Sequence, residues 1–201
     1  KSLVRNLNYI LVVFGYGMYV FVTGALAVWA ISMLIEGPLR MGTIEASAVM
    51  GGATAITGLL GSIVGGLFVD KMGGSQGYSG MLKCQYFNIL MMAISIPCGL
   101  IAMMSTSFGL FIVFFIFSVF ALFSVTAPVN ASILSSVHPS LRTYAISFSI
   151  LGIHAMGDFP SPALTGFISD KFSEGCPEHK SEYSCLAKSS ENCVWIKPPK
   201  G

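Results

Sequence analysis

The distribution of charge constrains this chain more than any other feature of it. Residues 6 to 169 hold eight acidic or basic side chains, Glu36, Arg40, Glu45, Asp70, Lys71, Lys83, Arg142 and Asp158, whereas residues 170 to 201 hold ten. An ionised side chain at the centre of a bilayer costs at least roughly 2.5–3.5 kcal/mol. Long uncharged stretches separated by short charged patches are therefore what a membrane-crossing chain requires. With 54% of its 201 residues apolar or aromatic and 10% charged, the chain does not read as a water-soluble globular domain. The expected body is an all-α integral membrane protein, with a polar tail over 173–201. The net charge of +2 has no basic run behind it, which argues against a nucleic-acid partner and against a polybasic membrane-surface segment. The chain starts at Lys1 with no initiator Met and no signal-peptide layout, the pattern expected of a piece of a longer protein.

A helix needs about 20 mostly apolar residues to cross roughly 30 Å of hydrocarbon, because its backbone polar groups must be satisfied internally. The spacing of charges and breakers predicts five such helices, at about 6–35, 46–69, 84–104, 108–137 and 143–169. The first ends at the Glu36-Gly37-Pro38 breaker and the second at Asp70-Lys71. Cys84 to Leu141 lacks Asp, Glu, Lys and Arg for 58 positions, too long for one crossing, so Ser105-Thr106-Ser107 is read as a tight turn between two helices. Lys1, Arg5, Lys71, Lys83 and Arg142 then fall on one side of the membrane and, before the tail, only Arg40 on the other. Since short cytoplasmic loops are rich in Lys and Arg, the first side is expected in the cytoplasm and the tail in the lumen or cell exterior.

The cysteines agree with that orientation. Cys84 and Cys98 read as small apolar residues of the third helix. Cys176, Cys185 and Cys193 punctuate the polar tail and suggest disulfides in an oxidising compartment, although three is an odd number. A zinc site with His179 is the competing reading, and the spacings do not match the usual paired-Cys pattern. No cofactor motif is present, and none is expected.

Three segments carry more than hydropathy. The second helix holds Gly51, Gly52, Gly58, Gly61, Gly65 and Gly66, small residues that let helix backbones approach in lipid, where apolar association gains little. It closes with Gly66-Leu67-Phe68-Val69-Asp70-Lys71-Met72-Gly73, and a similar hexapeptide, Gly166 to Lys171, closes the fifth. In the fifth helix, His154 and Asp158 lie four apart and share a face, and Pro160 and Pro162 each remove a backbone donor just beyond them. A broken helix beside an intramembrane acid and histidine suits a substrate or proton site; a hydrogen-bonded pair that merely fixes a kink is the structural alternative.

The Gly66–Gly73 octapeptide resembles the loop motif of the major facilitator superfamily. There, the resemblance implies, Gly66, Asp70, Lys71 and Gly73 form a conformational latch. His138-Pro139-Ser140-Leu141-Arg142-Thr143-Tyr144-Ala145, then His154, Gly157, Asp158, Ser161, Pro162, Gly166, Ser169 and Asp170, resemble the tenth-to-eleventh helix region of Spinster-type transporters in that superfamily; Phe21 to Ala30 is similar to their seventh helix. The resemblance covers most of 1–172. It implies helices seven to eleven of a twelve-helix bundle, in a C-terminal transmembrane half over 1–172 followed by an extracytoplasmic Cys-containing loop over 173–201. Asn130 stands where many members carry an acid, and is a candidate for the substrate or proton site with His154 and Asp158.

What the resemblance implies in function is alternating-access transport of an amphipathic lipid, a lysophospholipid or sphingoid phosphate, coupled to protons, with sugars or other small solutes as the alternative. The implied partners are the substrate, the bilayer and the N-terminal half of the same transporter, in the plasma membrane or an endolysosomal membrane. The Phe-rich fourth helix, from Phe108 to Phe123, is compatible with a lipid route, though such a stripe is more often plain lipid-facing or packing surface. An intramembrane enzyme would need a nucleophile or second acid, and Asp158 is the one acid within a predicted span, so no enzymatic activity is expected. A scaffold with a disulfide-rich ectodomain fits the tail and leaves the helix motifs unexplained.

Overall fold

The computed structural model describes residues 6–37, 39–72 and 77–173, with backbone alone at Asp170, at 172–173 and in two strands at 184–189 and 192–196. Four helices are long and apolar enough to cross a membrane: Leu7–Glu36, Thr43–Lys71, Gly77–Met104 and Phe108–Ser135. The first three are α1, α2 and α3. The fourth divides into α4, Phe108–Ser124, and α5, Thr126–Ser135. The fifth predicted span is a helical run in three pieces: α6 at Arg142–Ile153, a π-helical turn at His154–Asp158, and α7 at Ser161–Ser173. Strands β1, Ser184–Ser189, and β2, Asn192–Ile196, pair antiparallel in the tail. The chain is thus an all-α membrane body carrying a small terminal hairpin.

Local chemistry sets the ends. Asn6 caps α1, its side-chain oxygen accepting from the Tyr9 backbone N–H at 3.3 Å. After Glu36 the chain folds back, with the Met41 N–H donating to the Leu34 carbonyl at 3.0 Å and Arg40 held at φ 42°. The turn expected at Ser105–Ser107 joins α3 to α4. Two expectations are corrected. The third helix starts at Gly77 rather than Cys84, because Lys83 sits exposed within it; a lysine near a membrane surface keeps its head in water and does not end a helix. The fourth does not run unbroken to 137. Pro128 cannot donate to the Ser124 carbonyl, and the Thr126 hydroxyl donates to the Phe123 carbonyl at 2.8 Å, so the helix is interrupted at Val125 and ends at Ser135. Pro97, by contrast, lies within α3 without ending it.

The α4–α5 pair packs against both α2 and α3. The α2 contact is close because Gly61 and Gly65 have no side chain: a Cβ at Gly61 would meet the Phe120 carbonyl oxygen at 2.7 Å, and one at Gly65 the Ser124 carbonyl oxygen at 2.2 Å. Against α3 the contact is polar. The Ser95 and Ser118 hydroxyls each donate to the other residue's carbonyl, at 3.1 and 3.0 Å, and lie 3.1 Å apart. Phe111 and Phe115 are buried with Leu34, Ala46, Ala102 and Val119 in a core near the Ser105 turn. Much of the phenylalanine stripe is therefore packing, while Phe108 and Phe117 face outward.

A second core joins Tyr9, Val13 and Val20 of α1 to Val125, Val129, Ile133, Ala145 and Ile153. The Tyr9 hydroxyl donates to the Ala145 carbonyl at 2.8 Å, and the Trp29 indole N–H to the Pro162 carbonyl at 3.2 Å. These partners are 136 and 133 residues apart, so the register is nearly constant and α1 runs parallel to the whole fifth run.

Candidate functional site

The break in the fifth run begins with its prolines. Pro160 and Pro162 lack the N–H groups that the Met156 and Asp158 carbonyls would take, and their rings crowd those carbonyls. The chain widens by one residue: the Phe159 N–H donates to the His154 carbonyl at 3.1 Å, five positions back, which makes the turn at His154–Asp158 π-helical. The Ser161 hydroxyl donates to the Asp158 carbonyl at 3.4 Å, covering one of the two freed acceptors. The predicted helix break is thus present, and a widened turn gives it its form.

Within that turn His154 Nδ1 and Asp158 Oδ2 are 2.5 Å apart, with the side chains 58% and 43% exposed. The pair sits midway along the helical run from Arg142 to Ser173. The predicted His154–Asp158 partnership is therefore formed, open on one side and packed against α1 on the other. A Cβ at Gly24 would lie 2.7 Å from Asp158 Oδ1 and 2.7 Å from Ser161 Oγ.

Asn130 lies on α5, which packs against α1. Its Nδ2 donates to the Thr126 carbonyl at 2.9 Å, and its side chain is exposed on α5. Tyr16 stands on α1. Tyr16 stacks on Tyr19 at 5.6 Å between ring centroids, and the Tyr19 hydroxyl donates to the Leu122 carbonyl at 3.0 Å. Because α1 packs against both α5 and the π turn, Tyr16, Asn130 and the His154–Asp158 pair are carried by adjoining elements of one candidate site. Tyr16, Gly24, Trp29 and Ser161 are its unpredicted members. A tyrosine pair at i, i+3 in a mostly apolar span was the available signal for Tyr16; nothing local marks Gly24, whose role depends on a helix more than a hundred residues away.

The other predicted residues lie elsewhere. Asp70 and Lys71 are exposed at the end of α2, and a Cβ added at Gly66 would meet nothing within 4 Å. Gly73 lies outside the described residues, as do Cys176 and the side chains of Cys185 and Cys193. In the hairpin backbone Cys185 stands opposite Trp195, and Cys193 opposite Lys188. Cys84 is buried and free. Among the described residues no three His, Cys, Asp or Glu side chains are grouped to hold a metal ion.

Four long apolar helices, a fifth broken at mid-length and a polar pair inside it define an integral, multi-pass membrane protein. Known proteins narrow the class. The chain is 30% identical over 178 residues to the probable sphingolipid transporter spinster homolog 2 of Arabidopsis thaliana, a match covering 85% of this chain and 34% of that protein. It is 31% identical over 189 residues to spinster homolog 1 of Xenopus laevis, covering 88% and 35%. The human spinster homolog 1 matches over 212 residues at 28% identity, covering 98% and 39%. The chain belongs to the Spinster family, as the His154 to Asp170 pattern implied. It spans about a third of the length of the curated relatives it matches. No family model matches it.

Proposed function

We propose that the chain supplies helices seven to eleven of a secondary transporter that works by alternating access, and that its cargo is an amphipathic lipid of the lysophospholipid or sphingoid phosphate class. Residues 1–172 form the greater part of the C-terminal half, which closes against an N-terminal half in the same polypeptide. The tail from 173 faces the lumen or cell exterior, where Cys176, Cys185 and Cys193 supply its disulfides, and the membrane is the plasma membrane or an endolysosomal one. Asp70, Lys71, Gly66 and Gly73 act as the latch between conformations.

One observation carries this reading: the 2.5 Å His154–Asp158 pair, half exposed midway along a broken helix. An ionisable pair in that position is costly unless it faces an aqueous cavity, and a cavity at the midplane is where such transporters hold substrate. His154 and Asp158 are the proton-coupling groups, and Asn130, with Tyr16, meets the polar head group. The names of the plant relatives support the sphingolipid class.

The test is uptake by the full-length protein in reconstituted vesicles, offered lysolipids, sphingoid phosphates and sugars in parallel across a pH series. Lipid uptake is expected, with Asp158→Asn inserting normally and reducing flux roughly 10-fold or more, the effect of removing a positioned proton-transfer group. Flux in Asp158→Asn equal to wild type at every pH would remove the pair from the mechanism, and uptake of sugars alone would replace the lipid class.

A further inference from the structure

We infer that Trp29 and Gly24 of α1 are positioning residues for the His154–Asp158 pair, an assignment that rests on the transport reading above. Two prolines leave the start of α7 short of backbone hydrogen bonds, and a widened π turn lies directly before it. Such a segment needs an outside anchor to hold one geometry. Trp29 is placed to be that anchor. Its indole N–H donates to the Pro162 carbonyl at 3.2 Å. Its ring lies flush on Gly166, where an added Cβ would come within 3.0 Å of ring atom Cζ2. A donor and a shape contact together fix the indole, and the indole fixes the first turn of α7.

From that turn the constraint passes to the acid. Ser161 is fully buried, and its hydroxyl reaches back to the Asp158 carbonyl at 3.4 Å. On the α1 side, Gly24 leaves the space the carboxylate occupies. A methyl group there would lie 2.7 Å from Asp158 Oδ1, 2.7 Å from Ser161 Oγ and 3.1 Å from Asp158 Cα. The side-chain oxygen can rotate away; the Cα belongs to the backbone and cannot move without moving the turn. Trp29 thus acts through Pro162, and Gly24 through excluded volume, on the same carboxylate. Neither residue is required to touch the substrate.

The experiment uses full-length protein in liposomes and reads the rate at which a hydrophobic carbodiimide labels Asp158, by mass spectrometry of its peptide, beside the pH profile of lipid uptake. Trp29→Phe keeps an aromatic ring against Gly166 and removes only the N–H, Gly166→Ala displaces the ring, and Gly24→Ala crowds the carboxylate. Each is expected to change the Asp158 labelling rate roughly threefold, the scale of one modest hydrogen bond lost, and to move the midpoint of the uptake pH profile. Val28→Ala, an exposed neighbour on α1, should leave both unchanged. Labelling within experimental error of wild type in both Trp29→Phe and Gly24→Ala, in well-folded protein, overturns the assignment. Shifted labelling in a protein that takes up none of the offered compounds refutes the transport reading and leaves the positioning role standing. Uptake with unshifted labelling does the reverse.

Discussion

Replacing Gly65 with alanine tests the central packing contact of this bundle. The added methyl would lie 2.2 Å from the Ser124 carbonyl oxygen, 3.1 Å from the carbonyl carbon and 3.3 Å from Pro128 Cδ. Ordinary contact needs about 3.4 Å or more, the separation at which carbon atoms attract rather than repel, so α2 and the α4–α5 junction must part by roughly 1 Å. The obstacle is backbone, which no rotamer change relieves. Overpacking of this kind costs about 1–3 kcal/mol, the upper end applying at Gly65, and alanine returns up to about 1 kcal/mol through its better helix propensity, for a net loss of about 2 kcal/mol. Gly66→Ala, one residue on, meets nothing within 4 Å in these helices and should cost far less. Unfolding in mixed micelles of rising SDS fraction, followed by circular dichroism, reads the difference. A Gly65→Ala protein as stable as wild type would show that α2 does not lie against Ser124, and would refute the close α2–α4 contact.

Three other substitutions probe different terms. Asn88 is buried in α3 and both polar atoms of its amide lack a hydrogen-bond partner; Asn88→Leu should raise stability by about 1–2 kcal/mol, because a desolvated, unpaired amide is removed, and a lower midpoint in the same SDS titration would contradict this. Ser95 and Ser118 hydrogen-bond reciprocally, so a double-mutant cycle through alanine should return a coupling of about 0.6–1.7 kcal/mol, the range of interhelical hydrogen bonds in membranes; additive effects would deny the contact. Tyr9→Phe removes the buried 2.8 Å bond to the Ala145 carbonyl and should cost about 1 kcal/mol, checked by the same unfolding measurement, where an unchanged midpoint would argue against a parallel α1–α6 pair.

The helices were legible wherever hydropathy and breakers act locally. Glu36-Gly37 and the Ser105–Ser107 turn end and join helices where the sequence places them, since caps and breakers work within a single turn of chain. Lys83 misled because its effect depends on where the membrane surface falls, and the division at Val125 went unread because a proline in a helix has more than one outcome. Pro97 is carried inside α3, Pro128 follows an interruption, and Pro160 follows a π turn. Which outcome occurs depends on whether neighbouring side chains satisfy the freed carbonyl, as Ser161 does for Asp158. The His154–Asp158 pair was readable because its two members are one helical turn apart, whereas Tyr16, Gly24 and Trp29 reach the site from the far end of the chain.

The sequence by itself determined that this chain is helical and lives in a membrane, where its long uncharged stretches lie, and that His154 and Asp158 share one helical face. Those properties follow from the cost of charge in hydrocarbon and from the 3.6-residue period, both of which are written into neighbouring residues. Only the tertiary structure decided which glycines are occupied and which are free, that α1 runs parallel to the broken fifth helix, and that Trp29 and Gly24 frame Asp158. Contacts between residues 133 to 136 positions apart depend on how whole helices pack, and no local pattern encodes that distance.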